Sequence, residues 1–276
     1  MDVEVIVPTL NAGRTLQRCL ESLQTQTTTV RVTVVDCGSI DDTLSIAKKY
    51  ADRVLNSGHR GVSAQRNLGA LGSKADLLGF VDADMVLEVG VVSDVVDQIS
   101  GGAVGVVVPE ISFGSTYWAR VRAYERSFYE GVDSPEAARF FIRDLFVQAG
   151  GYDERLSAVE DFAMDRAIRA LGPIGRTESI ISHDEGDLRF LNACRKKASY
   201  ASGMSNYLRI YGWHELRGFL FGRSYFRKPF SLMREPRLGL GVIALKFGET
   251  AAVSANIARE TQKKTGLRVF SRKQSD

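Results

Sequence analysis

Cysteine is scarce and unpatterned in these 276 residues: Cys19, Cys37 and Cys194 are odd in number and widely spaced. That excludes a zinc-ligand pattern and a disulfide framework, and it suits a reducing compartment. No internal repeat and no low-complexity tract is present, which excludes solenoid and compositionally biased architectures. A basic n-region is missing as well. Met1–Val7 runs straight into an apolar strand, so no signal peptide is expected. Nor is there an unbroken apolar run of about 20 residues, the length a spanning helix needs. Leu238–Ile257 comes nearest, but Lys246 and Glu249 interrupt it. These absences leave a cytosolic protein as the expectation. The remaining composition, 44% hydrophobic and 25% charged, is ordinary for a globular chain with one large domain or one domain and an appendage.

The net charge of +3 hides an asymmetry. Residues 189–276 hold 18 Lys and Arg against 5 Asp and Glu, an excess of +13, whereas residues 1–188 hold 18 against 28, a balance of −10. An acidic body with a basic segment calls for an anionic surface as that segment's partner. An anionic lipid face fits better than nucleic acid, because no nucleic-acid recognition motif accompanies the charge.

The first half alternates strand and helix. Strands are expected at Val3–Val7, Val30–Val35, Arg53–Leu55 and Leu77–Val81. Helices are expected at Arg14–Gln24, from Asp42 to Tyr50 with Asp41 or Asp42 as N-cap, and at Val62–Gly72. This rhythm predicts a parallel, doubly wound α/β sheet that binds ligands beyond its strand C-termini. Further on, a helix is expected around Val89–Ile99, a strand at Ala103–Val108, a helix around Thr116–Tyr129 and another opening near Glu160. Beyond about residue 188 the pattern becomes basic and aromatic, with little strand signal.

The expected ligand edge carries Pro8-Thr9-Leu10-Asn11, Asp36-Cys37-Gly38-Ser39 and Asp82-Ala83-Asp84. Two acids one residue apart, with no Lys or Arg nearby in sequence, repel each other unless something positive lies between them. A divalent cation with an anionic ligand meets that need, although a turn or helix cap also accounts for Asp-Ala-Asp alone. Asp36 before Gly38 reads equally as a turn, Asn11 as an Asx cap, and Glu160-Asp161 as acids complementing a helix dipole.

Together the blocks say more. Val7–Asn11, Val34–Thr43, Ala64-Gln65-Arg66-Asn67-Leu68-Gly69, Val81–Asp84, Gly150-Gly151-Tyr152-Asp153-Glu154 and Val159-Glu160-Asp161-Phe162 resemble, in order, the blocks of family 2 glycosyltransferases with the GT-A fold. The resemblance implies a mostly parallel central sheet flanked by helices, a catalytic domain at 1–188 and a helical, basic and aromatic extension at 189–276. Nucleotide-sugar binding falls in 1–110 and the acceptor and base region in 111–188. It implies nucleotide contacts at Pro8, Thr9, Asn11, Asp36, Gly38, Arg66, Asn67 and Asp82, with Asp36 accepting from the base of a uracil-type nucleotide. Many relatives carry a second Asp where this chain has Cys37. The resemblance further implies Mg²⁺ or Mn²⁺ at Asp84 with Asp82, and Asp161, beside Glu160, as the base that deprotonates an acceptor with inversion.

His183, one of three histidines, is a further metal-ligand candidate; its other reading is a structural hydrogen-bonder. Arg195, Lys196, Lys197 and Tyr200 are candidates for holding phosphate on donor or acceptor. Segment 211–232 interleaves aromatics with Arg and Lys, and with Leu238–Ile257 it predicts a surface docked on an anionic membrane. The expected reaction is therefore transfer from a nucleotide-diphosphate sugar to a membrane acceptor such as a polyprenyl-phosphate carrier. The alternatives are a soluble acceptor or, from another class, a non-catalytic membrane scaffold. A sugar nucleotidyltransferase is disfavoured, since no Gly-rich basic loop follows the first strand.

Overall fold

The computed structural model describes residues 1–58, 61–128, 136–156, 158–212 and 229–272. Strand β1 (Val3–Thr9) is buried along its whole length, as a near-continuous apolar run covered on both faces must be. It pairs in parallel with β2 (Val30–Asp36) on one side and β4 (Leu77–Phe80) on the other, and β3 (Arg53–Asn56) continues beyond β2. The chain therefore winds outward from β1 and then returns across it, which creates a switch point between β1 and β4. The helices α1 (Leu16–Gln24), α2 (Thr43–Tyr50) and α3 (Val62–Leu71) make the crossovers. On α1, Leu16, Cys19, Leu20 and Leu23 form the buried face. Each such fully buried leucine contributes roughly 1.5–3 kcal/mol.

Helix α2 takes its cap from Asp41, whose Oδ1 accepts from the Thr43 amide at 3.1 Å. Asp42 occupies the N-cap position but makes no side-chain cap bond.

The rest departs from pure parallel winding. After β5 (Met85–Leu87), α4 (Val91–Ser100), β6 (Gly105–Val107), β7 (Glu110–Phe113) and α5 (Tyr117–Ser127), the chain enters β8 (Phe140–Ile142), antiparallel to both β4 and β6. Gly79 makes that pairing possible: a Cβ there would lie 2.4 Å from the Phe140 ring. Strand β9 (Ile174–Arg176) completes a seven-stranded sheet in the order β3-β2-β1-β4-β8-β6-β9. The segment Phe140–Asp144 divides into β8 and the start of α6 (Arg143–Gln148). A second sheet, unforeseen from sequence, orders β5-β10-β7, with β10 at Ile181–Asp184. Its hydrogen bonds run from the Asp-Ala-Asp turn to β10, a hundred residues on, where the Asp184 amide donates to the Asp84 carbonyl.

The C-terminal part is helical: α8 (Phe190–Ser199), α9 (Ala201–Tyr211) and a long helix, Pro236–Arg272, which packs on α8 and α5. Most of the aromatic and basic segment read at 211–232 lies outside the described residues, namely 213–228.

Candidate active site

The C-terminal ends of β1, β2 and β4 bring Thr9–Asn11, Asp36–Ser39 and Asp82–Asp84 to one edge of the sheet. Asp36, the last residue of β2, is fully buried, and its two oxygens take four protein hydrogen bonds. Oδ1 accepts from Thr9 Oγ1 at 3.1 Å and Ser39 Oγ at 2.5 Å, and Oδ2 from the Gly38 and Ser39 amides at 2.9 Å each. Burial alone would raise its pKa, but these donors outweigh it and the carboxyl sits below its ordinary range. Gly38 holds φ +85°, a left-handed conformation that favours glycine. Asp36 is thus the organiser of its turn, with two backbone amides and the hydroxyls of Thr9 and Ser39 as its donors.

Asn11 closes the neighbouring loop at φ 51°, its amide donating to Ser39 Oγ and its Oδ1 accepting from the Ile40 amide. Pro8 is buried within β1 opposite Val35, so the chain meets the edge only from Thr9 onward. Gln65, unmarked by sequence reasoning, donates from Nε2 to the carbonyls of Thr9 and Val35 and ties α3 to both loops.

The positive group expected between acids is, at Asp82, supplied by the protein itself. Arg66 is only 2% exposed and bridges the two halves of the site. Its Nη2 donates to Asp82 Oδ1 at 2.8 Å and its Nη1 to Asp161 Oδ1 at 2.6 Å, with Glu160 Oε1 at 3.6 Å from Nη1. Its guanidinium lies 5.0 Å from the Tyr152 ring centroid. Arg139 adds a second cation, 3.5 Å from Asp82 Oδ2 and paired with Glu110. Burial would raise the Asp82 carboxyl; Arg66 and Arg139 instead hold it down to about 2. Arg66, expected as a nucleotide contact, is thus committed to carboxylates of the protein. Asn67 is likewise committed elsewhere: Nδ2 donates to the Tyr152 carbonyl and Oδ1 accepts from the Tyr152 amide, both at 2.8 Å. That pair buttons the Gly150–Tyr152 turn onto α3.

Helix α7 (Glu160–Arg169) places Glu160 and Asp161 in its first turn, where acids complement the helix dipole. The two differ in exposure. Asp161 keeps a side chain 36% exposed, whereas Glu160 is buried. Burial, followed by the Asp161 charge, pushes the Glu160 carboxyl up to about 6. An acid with a folded pKa above its ordinary 4.5 stabilises the fold fully below that value and loses the contribution as pH rises through about 6. Glu160→Gln is therefore expected to melt higher than the parent above pH 6 and no higher at acid pH. Thermal unfolding of both at the two pH values checks this; an equal difference at both would contradict it.

Asp84 meets β10. His183 Nε2 lies 3.2 Å from Asp84 Oδ2, and the Asp184 amide donates to the Asp84 carbonyl. Arg126 of α5 approaches His183 Nδ1 at 2.7 Å. Among the described residues, three buried side-chain atoms have no hydrogen-bond partner: Arg66 Nε, Asp84 Oδ1 and Glu160 Oε2. All belong to this site. No three His, Cys, Asp or Glu side chains among the described residues converge as a ready metal cage. A hard cation such as Mg²⁺ takes only one or two carboxylates and completes its shell with phosphate and water, so the orphaned Asp84 oxygen beside His183 fits one.

Arg195, Lys196, Lys197 and Tyr200 are set elsewhere, on and just after α8, the helix beside the C-terminal helix. Arg195 and Lys196 are exposed there, and Lys197 Nζ lies 5.9 Å from the Tyr200 ring.

Comparison with known proteins gives the family and the fold. An uncharacterised glycosyltransferase of Escherichia coli K12, YibD, is 39% identical over 88 residues, 30% of this chain and 26% of its own length. Validoxylamine A glucosyltransferase of Streptomyces hygroscopicus subsp. jinggangensis is 34% identical over 122 residues, 41% of this chain and 29% of its own. The chain thus aligns with under a third of either relative. Across nearly the whole chain the fold is that of S. aureus TarS 1–349, with TM-score 0.55 at 15% identity, covering 95% of this chain and 92% of that one. The family description "Glycosyl transferase family 2" matches residues 4–152, more than half of the sequence. The chain belongs to glycosyl transferase family 2.

Proposed function

We propose that the cleft transfers a sugar, with inversion, from a nucleotide-diphosphate sugar to a hydroxyl or phosphate acceptor. The observation that carries this reading is that Arg66 joins Asp82, beyond β4, to Glu160 and Asp161 of α7, and that Arg66, Asp84 and Glu160 each keep a buried side-chain atom without a partner. A buried polar atom without a partner costs about 1–3 kcal/mol, so a site that keeps three is built for a ligand that pairs them. A UDP-sugar is the favoured donor, because TarS has been crystallised with UDP and with UDP-GlcNAc.

The loops at Thr9–Asn11 and Asp36–Ser39 take the nucleoside, with Ser39 Oγ turning away as Asp36 accepts from the base. Asp82, fixed by Arg66 and Arg139, meets the ribose. Asp84 and His183 are the residues that would hold Mg²⁺ or Mn²⁺, which supplies Lewis-acid neutralisation of the departing diphosphate. Arg66 fixes Asp161 through Oδ1 and leaves Oδ2 to take the acceptor proton. Attack opposite the leaving group inverts the anomeric centre. In this reading residues 1–188 are the catalytic domain. Residues 189–276 hold the protein to the anionic inner face of the membrane, where a lipid-linked acceptor such as a polyprenyl phosphate would be presented.

The purified protein is expected to release UDP from a UDP-sugar when Mn²⁺ is present. Asp84→Asn is expected to weaken Mn²⁺ binding, followed by electron paramagnetic resonance, at least about tenfold. Failure of the parent to hydrolyse or transfer any nucleotide sugar would overturn the enzymatic reading in favour of a scaffold.

A further inference from the structure

The charges that interrupt the apolar run of the C-terminal helix face inward. Lys246 Nζ lies 2.5 Å from Glu125 Oε1 on α5 and 2.7 Å from Glu249 Oε2, and Arg122 pairs with both glutamates. Glu249 is 3% exposed. On the same side Leu238, Val242 and Leu245 pack with Val121 of α5 and Ala193 of α8. This ionic and apolar staple fixes which face of the helix remains outside.

The outer face is apolar. Leu240 is 62% exposed, Ile243 53% and Phe247 79%, at the i, i+3, i+7 spacing of one helical stripe. Exposed Ala244, Ala251, Ala255 and Ala258 continue it, and no exposed charge occurs between Arg237 and Arg259. Phe230 and Met233, also exposed, lie just before the helix beside Arg234. The stripe thus has arginines at both ends, in a segment with a +13 excess of charge. A contiguous exposed apolar stripe of this length marks a contact surface.

We propose that this stripe is the surface on which the protein sits on an anionic bilayer, with the helix lying in the membrane plane. Leu240, Ile243 and Phe247 enter the acyl boundary, and Arg234, Arg237 and Arg259 reach lipid phosphates. The inference rests on the reading of residues 189–276 as membrane-associating, and it names the contact face. By length and composition Pro236–Arg259 is a candidate span. A spanning pose, however, carries the Arg122–Glu125–Lys246–Glu249 cluster and the exposed Arg195 and Lys196 of α8 into hydrocarbon, which is costly. A second copy of the chain is the weaker occupant, because it brings an equal positive excess to the same face.

The test uses the full chain and vesicles of phosphatidylcholine mixed with phosphatidylglycerol. The parent is expected to sediment with them at low salt and to be released by high salt. A Leu240→Gln, Ile243→Gln, Phe247→Gln triple variant is expected to bind at least roughly tenfold more weakly. Its melting curve and donor hydrolysis should match the parent's, since the three side chains are exposed and outside the cleft. Phe247→Trp should shift its emission to the blue on binding and be quenched by brominated acyl chains.

Binding of the triple variant as tight as the parent's would overturn the face assignment while leaving the membrane reading intact. Absence of binding by the parent would overturn both. Resistance of the parent to alkaline extraction would overturn the in-plane pose. Conversion of a parent dimer to a monomer by the triple substitution, without any change in vesicle binding, would assign the face to a second copy and overturn the proposal.

Discussion

Arg66→Met is expected to lower the stability of the protein by about 3 kcal/mol, the lower end of the range for breaking a buried ion pair. The lower end applies because Asp82 and Asp161 have side chains 31% and 36% exposed, and water takes up part of the released charge. Glu160 has no such relief and is left buried beside Asp161, which loses its paired cation, while Asp82 keeps Arg139. For a chain of this size the loss corresponds to a fall in Tm on the order of 10 °C. Methionine keeps the aliphatic stem but not the guanidinium that lies over Tyr152, so the loss combines the missing charge with missing packing.

Arg66→Lys is expected to recover only part of the stability, because one ammonium cannot donate in parallel to Asp82 and Asp161. Both variants are expected to bind UDP weakly, since Asp82 loses its orientation. In the parent, Asp82 contributes stability above the ordinary carboxylate pKa of 3.8 and loses it only as pH falls through about 2. In Arg66→Met that loss moves to higher pH. Thermal unfolding across acid pH, with UDP titrations at neutral pH, checks both statements. A methionine variant that melts with the parent would contradict the bridging role.

Asp161→Asn is expected to reduce transfer by about 10²–10⁴, the contribution of a positioned general base. Asparagine preserves the shape of the side chain and can still accept from Arg66 Nη1 through its Oδ1, so the fold and the donor site should survive. UDP-sugar affinity is expected to stay within a few-fold of the parent's. A rate measured at saturating donor separates the two effects, because loss of a group acting only in the transition state lowers kcat and kcat/KM together. Glu160→Gln provides the contrast: it changes the pH dependence of stability, and its rate should fall far less. Full activity in Asp161→Asn would remove Asp161 from the role of base.

The parts of this site that were legible in sequence are those whose chemistry is local. Asp36, Gly38 and Ser39 make one turn and hydrogen-bond among themselves, so a short motif carries their arrangement. The alternation that predicted β1 to β4 and α1 to α3 depends likewise on neighbours along the chain. What escaped depends on partners far away in sequence. Arg66 reaches Asp161 across 95 residues, and nothing near either one announces the pairing. Asn67 belongs to the same short block as Arg66 yet closes a turn 85 residues on. The antiparallel strand β8 and the small sheet of β5, β10 and β7 consist of three- and four-residue strands, too short to show a period. Lys246 and Glu249 were visible as breaks in an apolar run, but the direction they face is set by Arg122 and Glu125 of α5.

Binding of a nucleotide-diphosphate sugar in this cleft is tested by thermal unfolding with a panel of nucleotide sugars, each with and without Mn²⁺. A ligand at 100 times its dissociation constant adds about 2.7 kcal/mol of stability. A UDP-sugar with Mn²⁺ is expected to raise the Tm of the parent, the metal-dependent part to be lost in Asp84→Asn, and Asp161→Asn to respond like the parent. A panel in which no nucleotide sugar shifts the parent, with or without metal, would contradict that binding.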